Sequence, residues 1–290
     1  MGGLRGLLIV IFACVMAFYR CSVDAALSNA MYFDWNAQIG RMSGWDSCQL
    51  VLTQQGGSGI VSKASFLYGS ISMRIKLVQG NSAGTVTTFY LSSGGSRHDE
   101  VDFEFLGNLS GQPYTIHTNI FTQGFGQREQ QFKVWFDPTT DYHNYTIFWN
   151  PYEVVWLIDD IPIRVFRNYH DPQINFPDSQ AMKAYASLWN GDQWATEKGR
   201  IKIDWNLAPY IAEFQNFKTN ACYWNGWSSI WTCASKNPAN WWTNSIYYRL
   251  SYAKLGQMNW FRNNFMIYNY CTDFQRFNGS VPKECSLPQY

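Results

Sequence analysis

The chain has 290 residues, of which 15% are charged, and 22 Lys and Arg against 21 Asp and Glu give a formal net charge of +1. This balance offers no electrostatic case for binding nucleic acid or an anionic membrane. Aromatic residues make up 18% of the chain, with 14 Trp and 18 Tyr. Most would fill a β core, but exposed Trp and Tyr faces also suit the apolar patches of sugar rings.

The first element in chain order is an export signal. Arg5 precedes an apolar run over residues 7–18, which is too short to span a bilayer, and small residues follow at Ala25 and Ala26. We expect residues 1–25 to be a signal peptide that is cleaved after Ala25, with an uncleaved membrane anchor as the alternative. No later segment has the roughly 18 consecutive apolar residues of a spanning helix. The sequence thus predicts a soluble, secreted product.

From about residue 30 to 215, short strand patterns alternate with turns rich in Gly, Asn, Asp and Pro. The predicted strands cover residues 70–78, 85–91, 100–107, 145–150, 153–159 and 161–166. The residues that flank Asn150-Pro151 and Asp159-Asp160 are typical of hairpins. Because no long amphipathic helix and no βαβ spacing interrupts this region, we predict an all-β fold, an antiparallel β-sandwich or jelly roll.

Within this region, the stretch HDEVDFEF places three carboxylates, Glu100, Asp102 and Glu104, on one face of a strand. Asp and Glu are depleted from strands, and like charges side by side are destabilising. A solvated edge strand is one explanation. The apolar residues on the other face argue instead for a central strand packed on a core; they are Val101, Phe103 and Phe105.

Three acids at this spacing suit retaining glycoside hydrolysis. That reaction needs a nucleophilic carboxylate and an acid/base carboxyl about 5–5.5 Å apart. The Cα atoms of Glu100 and Glu104 would lie roughly 13 Å apart, a gap that two long side chains on a curved strand can close. Asp102 should couple to both titrations, and shared charge should raise at least one pKa. A carbohydrate-binding protein without catalysis is the alternative, although such a protein has no need of crowded acids.

No metal or other cofactor is predicted. His98, just before the acids, is interpreted as a residue that orients a neighbour rather than as a base or ligand. The remaining histidines lack metal-ligand spacing, and no loop is typical of a hard-cation site.

Beyond about residue 215 lies a Cys-containing C-terminal segment, residues 216–290, which we call the extension. Cys222, Cys233, Cys271 and Cys285 form an even set in a chain predicted to be exported. The sequence-local pairs 222–233 and 271–285 are the simplest of the three connectivities, and metal binding is the alternative. Cys14 and Cys21 would leave with the signal peptide. Cys48 remains as a buried thiol.

The extension is expected to pack on the sandwich, because no flexible linker precedes it. The predicted organisation is therefore a jelly-roll domain over residues 26–215 with residues 216–290 packed on the same domain. Apolar residues of the extension could line a helix; they are Leu250, Met258, Phe261, Met266 and Ile267. Of three N-x-S/T sequons, at Asn108, Asn144 and Asn278, the first lies just past the acidic strand and is the predicted glycosylation site.

HDEVDFEFLGN (98–108) resembles the signature HDE(I/V)DFEFLGN of plant xyloglucan endotransglucosylase/hydrolases, glycoside hydrolases of family 16 with a jelly-roll fold. The resemblance continues in GNSAGTVTTFYLSS (80–93), KVWFDPTTDYHNYTIFWN (133–150), SLWNGDQWATEKG (187–199), NYCTDFQRF (269–277) and PKEC (282–285). It implies that Glu100 is the nucleophile, Glu104 the general acid/base and Asp102 the helper between them. It also implies an N-glycan on Asn108 and the two local disulfides.

The resemblance further implies a set of glucan contacts. These fall on His117, Thr118, Asn119, Gln127, Arg128, Glu129, Trp189, Gln193, Trp194, Gly199 and Arg276, the last being on the acceptor side. Several positions depart from the family pattern. Gln usually stands at position 117, Asp or Asn at 127, and Asp at 193. Leu52-Thr53 and GGSGIVSK (56–63) also depart, at the donor side.

Together these features predict a secreted enzyme of the plant cell wall, or apoplast, that cleaves the β-1,4-glucan backbone of xyloglucan and transfers it to another xyloglucan chain. The Phe103-Glu104-Phe105 form of the motif resembles the transferase branch of the family. The expected partners are xyloglucan donor and acceptor chains, and the protein is expected to be a monomer that binds neither nucleic acid nor membrane. A xyloglucan or β-glucan endohydrolase and a lectin-like glucan-binding protein are the alternatives.

Overall fold

The structure, a computed structural model, describes residues 26–290, so the predicted signal peptide lies outside the described residues. The strands are β1 (Met31–Trp35), β2 (Arg41–Ser43), β3 (Ser47–Leu52), β4 (Ser58–Lys76), β5 (Thr85–Ser92), β6 (Glu100–Leu106), β7 (Thr115–Phe121), β8 (Gln130–Phe132), β9 (His143–Trp149), β10 (Glu153–Ile158), β11 (Ile161–Arg167), β12 (Met182–Asn190), β13 (Tyr210–Tyr223) and β14 (Met266–Asn269). The α-helices are α1 (Leu27–Ala30), α2 (Ser229–Ala234) and α3 (Tyr252–Phe265). Short 3-10 helices lie at Thr196–Gly199, Trp205–Leu207, Trp241–Thr243, Ser245–Tyr247, Tyr270–Thr272 and Lys283–Ser286. None of the helices in residues 26–290 combines the length and the apolar character that crossing a bilayer requires.

The long strand β4 joins two layers of antiparallel strands. Up to Phe66 it pairs with β12 and β1, and from Gly69 it pairs with β9 and β13. At the change of layer, Gly69 has a φ of 125°, and a Cβ there would lie 2.2 Å from the Cα of Ala221. Only glycine fits this close approach. The chain therefore folds as an antiparallel sandwich, and the all-β prediction is confirmed.

The two layers have different strand orders. The cleft layer runs β4-β12-β5-β6-β7-β8-β14, with β1 on the other edge of β4. The rear layer runs β11-β10-β9-β4-β13-β3-β2. The acidic strand β6 is thus a central strand, with two neighbours on one side before β4 and three on the other.

The core between the layers fixes β6 from behind. Val101, Phe103 and Phe105 are fully buried, as predicted. The rings of Phe103 and Phe105 lie edge-on to Tyr145 of β9, with centroids 5.6 and 4.7 Å away. Trp156 of β10 adds a polar tie, because its Nε1 donates to the backbone oxygen of Asp102 at 2.9 Å. The three carboxylates must therefore face the other way.

The predicted hairpins on either side of β10 are confirmed. Antiparallel pairing joins β9 to β10 and β10 to β11. The second turn places both Asp159 and Asp160 at positive φ, 46° and 63°, the conformation that tight two-residue hairpins require and that Asp tolerates.

The extension contributes to both layers. β13 passes through residue 215 without interruption, α3 packs on β11, and β14 extends the cleft layer beyond β8. The predicted helix is right for Met258 and Phe261, which α3 buries. It is wrong for Leu250, which precedes α3, and for Met266 and Ile267, which lie in β14. Met266 is extended because its backbone pairs with Phe132 of β8.

The cysteine predictions are confirmed within the described residues. Disulfides join Cys222 to Cys233 and Cys271 to Cys285. Cys48 is a free thiol that is 1% exposed.

Candidate active site

Three cross-strand rows place the acidic residues on the floor of a cleft. Each acid of β6 pairs with one residue of β5 and one of β7, and paired residues in antiparallel strands face the same way. The rows are Ser92–Glu100–Phe121, Tyr90–Asp102–Asn119 and Thr88–Glu104–His117.

The cleft above these rows has a volume of about 470 Å³. Besides the three acids, it is lined by Thr88, Tyr90, His117, Asn119, Phe121, Glu129, Ser187, Trp189 and Trp194. Trp189 and Trp194 form one wall, with ring centroids 6.2 Å apart. A groove that joins aromatic faces with carboxylates suits a neutral sugar chain, because the rings pack on apolar sugar faces while the acids reach glycosidic oxygens.

The three carboxyls have raised pKa values, as the sequence predicted for at least one. Burial is the largest cause in each case. It raises the pKa of Glu104 to about 7, with Glu100 and Glu129 adding to the shift. Burial followed by the charges of Glu100 and Glu104 raises the pKa of Asp102 well above its usual range, although Arg164 opposes this. Shared charge, the expected cause, is therefore secondary to desolvation.

Glu100 differs from its neighbours because hydrogen bonds favour its charged form. Burial raises its pKa, but side-chain hydrogen bonds from Ser92 and Asp102 act in the opposite direction. The bond between Asp102 and Glu100 raises the pKa of Asp102 while lowering that of Glu100. These opposite effects favour a proton on Asp102 that is donated to Glu100. Side-chain hydrogen bonds thus favour the charged form of Glu100, whereas burial and neighbouring charge favour a proton on Glu104, the kind of difference that separates a nucleophile from an acid catalyst.

Two histidines lie beside the acids. Nε2 of His117 is 3.5 Å from Oε2 of Glu104, and burial lowers the pKa of His117 to about 4. Nδ1 of His98 lies 2.8 Å from the backbone oxygen of Gly95, to which it donates, while its Nε2 is 3.9 Å from Glu100. His98 is therefore oriented by the loop before β6 and is too far from Glu100 for a hydrogen bond.

Of the predicted glucan contacts, His117, Asn119, Glu129, Trp189 and Trp194 line the cleft. The amide of Asn119 is already engaged, because its Oδ1 accepts from the backbone nitrogens of Ile120 and Arg128 at 2.9 and 3.1 Å.

The structure places Thr118 and Arg128 behind the cleft. Thr118 is fully buried, and its Oγ1 donates to the backbone oxygen of Gln130 and accepts from Arg164. The guanidinium of Arg128 donates from Nε to Oε1 of Glu284 at 2.6 Å. Both residues therefore support the β7–β8 segment, and Arg128 also links this segment to Glu284 of the extension.

Arg276 joins the extension to the rim of the cleft. Its Nη1 and Nη2 donate to the two carboxylate oxygens of Glu129 at 2.6 and 3.0 Å. Burial alone would raise the pKa of Glu129, but these hydrogen bonds and the charge of Arg276 outweigh it, and the pKa is lowered. Glu129 thus stays charged beside Glu104.

The remaining predicted contacts lie on surface loops. Gln127 and Gln193 are exposed. Gly199 has a φ of 82°, and a Cβ there would lie 2.3 Å from the backbone oxygen of Gln193. Glycine at this position therefore lets the loop that carries Trp194 close on itself.

Sequence reasoning missed Tyr90, Tyr185, Ser92, Gln131 and Arg164. The rings of Tyr90 and Tyr185 stack in the cleft layer, with centroids 5.0 Å apart and an interplanar angle of 12°. Alternation in FYLS places Tyr90 and Ser92 on one face, so this signal was present, but assigning it to the acids required the β5–β6 register. Among residues 26–290, no cluster of three or more His, Cys, Asp or Glu is arranged to hold a metal ion.

Comparison with known proteins gives two family matches. The model of the glycosyl hydrolases family 16 matches residues 27–207, and that of the xyloglucan endo-transglycosylase (XET) C-terminus matches residues 236–285. The probable xyloglucan endotransglucosylase/hydrolase protein 23 of Arabidopsis thaliana is 47% identical over 278 residues, which are 95% of this chain and 96% of that protein. The xyloglucan endotransglucosylase protein 7 of Diospyros kaki is 49% identical over 239 residues, 82% of this chain and 88% of that protein.

Solved structures show the same fold at low identity. The β-glucanase of Bacillus licheniformis has a TM-score of 0.51 and 23% identity, covering 69% of this chain and 88% of its own. The laminarinase catalytic domain of Thermotoga petrophila has a TM-score of 0.55 and 13% identity, covering 68% and 92%. These likenesses confirm the jelly-roll sandwich.

Proposed function

Because this chain belongs to glycosyl hydrolase family 16, we propose that it is a xyloglucan endotransglucosylase that works by a retaining mechanism. The proposal is carried by one observation, the placement of Glu100, Asp102 and Glu104 side by side on the floor of a cleft that Trp189 and Trp194 wall. Hydrogen bonds from Asp102 and Ser92 favour the charged form of Glu100, whereas burial raises the pKa of Glu104 to about 7. The xyloglucan enzymes among the relatives, and the match to the XET C-terminus, support the choice of substrate.

In the first step, Glu100 attacks the anomeric carbon of the donor while Glu104 protonates the departing glycosidic oxygen. Ester formation removes the charge of Glu100, which is one cause of the raised pKa of Glu104. The pKa of Glu104 therefore falls once the glycosyl-enzyme forms. In the second step, Glu104 can accept the proton of an incoming sugar hydroxyl, whose oxygen bonds to the anomeric carbon as the bond from that carbon to the Glu100 oxygen breaks.

A neighbouring proton on Asp102 assists both steps. It stabilises the Glu100 carboxylate before attack and after release, and it adds no negative charge to the crowded face. Arg164, fully buried behind β7, acts against the upward shift of the Asp102 pKa.

We place the glucan across the strands of the cleft layer. Trp189 and Trp194 would pack on sugar faces, and His117, Asn119 and Glu129 would lie beside the departing unit. Gln127, Gln193 and Gly199 belong to loops at the rim. Arg276, held by Glu129, would bring the extension to the acceptor side. Thr118 and Arg128 would act from behind by fixing the segment that carries Glu129.

The second candidate is an endohydrolase of xyloglucan or a related β-glucan. The same carboxyls can catalyse the second step with water in place of a sugar hydroxyl. Glu104 is 22% exposed in an open cleft, so water can reach it. Transfer wins only where the acceptor side binds a glucan chain in position to attack. A lectin-like role without catalysis would leave the raised pKa of Glu104 without a purpose.

We also propose that the enzyme is exported to the plant cell wall as a monomeric glycoprotein. The apolar run of residues 7–18 and the two disulfides support export. Asn108 follows β6 on a turn with exposed neighbours, Leu109 and Ser110, and so is placed for a glycan. Residues 26–215 and 216–290 would fold as one unit, because β13 belongs to both.

The test is product analysis on xyloglucan with and without a labelled xyloglucan oligosaccharide. We expect the label to appear in long polymer. Reducing ends that accumulate without label transfer would instead establish the hydrolase. Binding without any reaction would establish the lectin-like role and refute catalysis.

A further inference from the structure

We propose that His117 is a positioning residue, which holds the acid/base carboxyl of Glu104 by presenting a neutral Nε2–H to it. The inference rests on the proposed role of Glu104. It assigns to His117 a task other than contact with the glucan, at a position where Gln is usual in the family.

The geometry comes from one row of three strands. Glu104 of β6 pairs with His117 of β7, and His117 pairs with Gln131 of β8. The amide Nε2 of Gln131 lies 3.0 Å from Nδ1 of His117. An amide nitrogen can only donate, so Nδ1 must accept. The imidazole proton is therefore on Nε2, the atom that lies 3.5 Å from Oε2 of Glu104.

The surroundings keep this imidazole neutral. Burial is the main reason that the His117 pKa is lowered to about 4, and the charges of Arg164 and Arg276 act in the same direction. Glu129 acts in the opposite direction, and Glu104 is the titratable group whose carboxyl lies 3.5 Å from the ring. His117 therefore offers Glu104 a dipole rather than a charge across the whole neutral range.

A neutral donor suits a group that must both give and take a proton. A cation at this distance would hold Glu104 as a carboxylate and prevent it from acting as an acid. An N–H dipole favours the carboxylate only modestly, so it orients Glu104 without fixing its protonation state. The ring is itself held from the side, because it lies edge-on to Trp194 with centroids 5.8 Å apart.

The test compares His117→Phe with His117→Gln in the full-length protein. Phe keeps a ring against Trp194 but has no N–H, whereas Gln keeps a donor without the ring. The Glu104 pKa is read by ¹³C NMR of carboxyl-labelled Glu, with Glu104→Gln to assign the signal. We expect His117→Phe to raise the Glu104 pKa by about half a unit or more, since the carboxylate loses the N–H dipole that faces it at 3.5 Å. His117→Gln should titrate close to the wild type.

Kinetics supply the second readout. In His117→Phe the basic limb of the pH profile of kcat/KM should move to higher pH together with the Glu104 pKa. The value of kcat should fall about tenfold while KM changes little, because the Glu104 carboxyl is misplaced. An unshifted Glu104 titration in His117→Phe would overturn the proposal. Equal shifts in both variants would also overturn it, because they would assign the effect to the ring.

The NMR titration uses no substrate, so it separates this inference from the proposed function. A shift confined to His117→Phe supports the contact even if xyloglucan proves to be the wrong substrate. Thermal melts of both variants identify any loss of folding. Gln131→Leu is a further variant. It removes the amide that donates to Nδ1 of His117, so the imidazole proton is no longer confined to Nε2, and the pKa of Glu104 should rise although His117 itself is unchanged.

Discussion

Replacing Glu104 by Gln should make the folded protein more stable at alkaline pH while it destroys catalysis. Burial raises the pKa of Glu104 from 4.5 to about 7, so the folded state binds this proton more tightly than the unfolded chain does. Below pH 4.5 both states are protonated and the contribution to stability is fully present. It is lost as the pH rises through 7, where the folded state must also ionise.

The magnitude follows from the shift. A difference of about 2.5 pKa units corresponds to about 3 kcal/mol, at about 1.4 kcal/mol per unit. Glu104→Gln keeps the shape of the side chain and has no charge to bury. The free energy of unfolding of the variant, minus that of the wild type, should therefore rise by about 3 kcal/mol between pH 4 and pH 8.

Urea unfolding of both proteins at several pH values measures this difference. Glu197→Gln is the matched control, because Glu197 is exposed on the surface, and its difference from the wild type should change far less with pH. A difference for Glu104→Gln that stays constant from pH 4 to pH 8 would refute the reasoning, since it would mean that Glu104 ionises equally easily in both states.

Three further predictions concern the nucleophile, the acceptor side and the extension. Glu100→Ala should abolish turnover while glucan binding, measured by calorimetry, persists; retained turnover would refute the assignment. Arg276→Ala should lower transfer to added oligosaccharide more than hydrolysis, because it frees the Glu129 carboxylate from its two hydrogen bonds; an unchanged ratio of transfer to hydrolysis would contradict the acceptor-side role. Replacing Cys271 and Cys285 by Ser should lower the free energy of unfolding by about 3 kcal/mol, the value for a closed loop of this length. A denaturation midpoint equal to that of the wild type would contradict it.

Local patterns in the sequence were enough to predict the acidic strand β6 and which of its side chains enter the core. Alternation in HDEVDFEF places the acids and the apolar residues on opposite faces of one strand. Because the apolar face enters the core, the acids must lie on the face that points away from it. The hairpin around Asp159 follows in the same way from turn chemistry. The even count and the spacing of the cysteines left three connectivities open, of which the simplest, also implied by the family resemblance, is the one observed.

Long-range contacts could not be predicted in this way. Met266 and Ile267 continue the apolar pattern of α3, yet β8 offers an unpaired edge that draws them into β14. No local signal distinguishes the two outcomes. The same holds for Arg128 and Arg276, which look alike in sequence: one is committed to Glu284 behind the sheet and the other to Glu129 at the rim.

The crowded acids of β6 depend on the packing of its other face. Burying Val101, Phe103 and Phe105 stabilises the fold by about 1.5–3 kcal/mol for each side chain, or about 4.5–9 kcal/mol together. This sum exceeds the cost of about 3 kcal/mol that Glu104 imposes at high pH. The same packing excludes water from beneath the carboxyls, and desolvation is the largest cause of their raised pKa values. The apolar face of β6 is therefore part of the acid–base chemistry, because a looser core would hydrate the acids and return Glu104 toward the pKa of an ordinary, permanently charged glutamate.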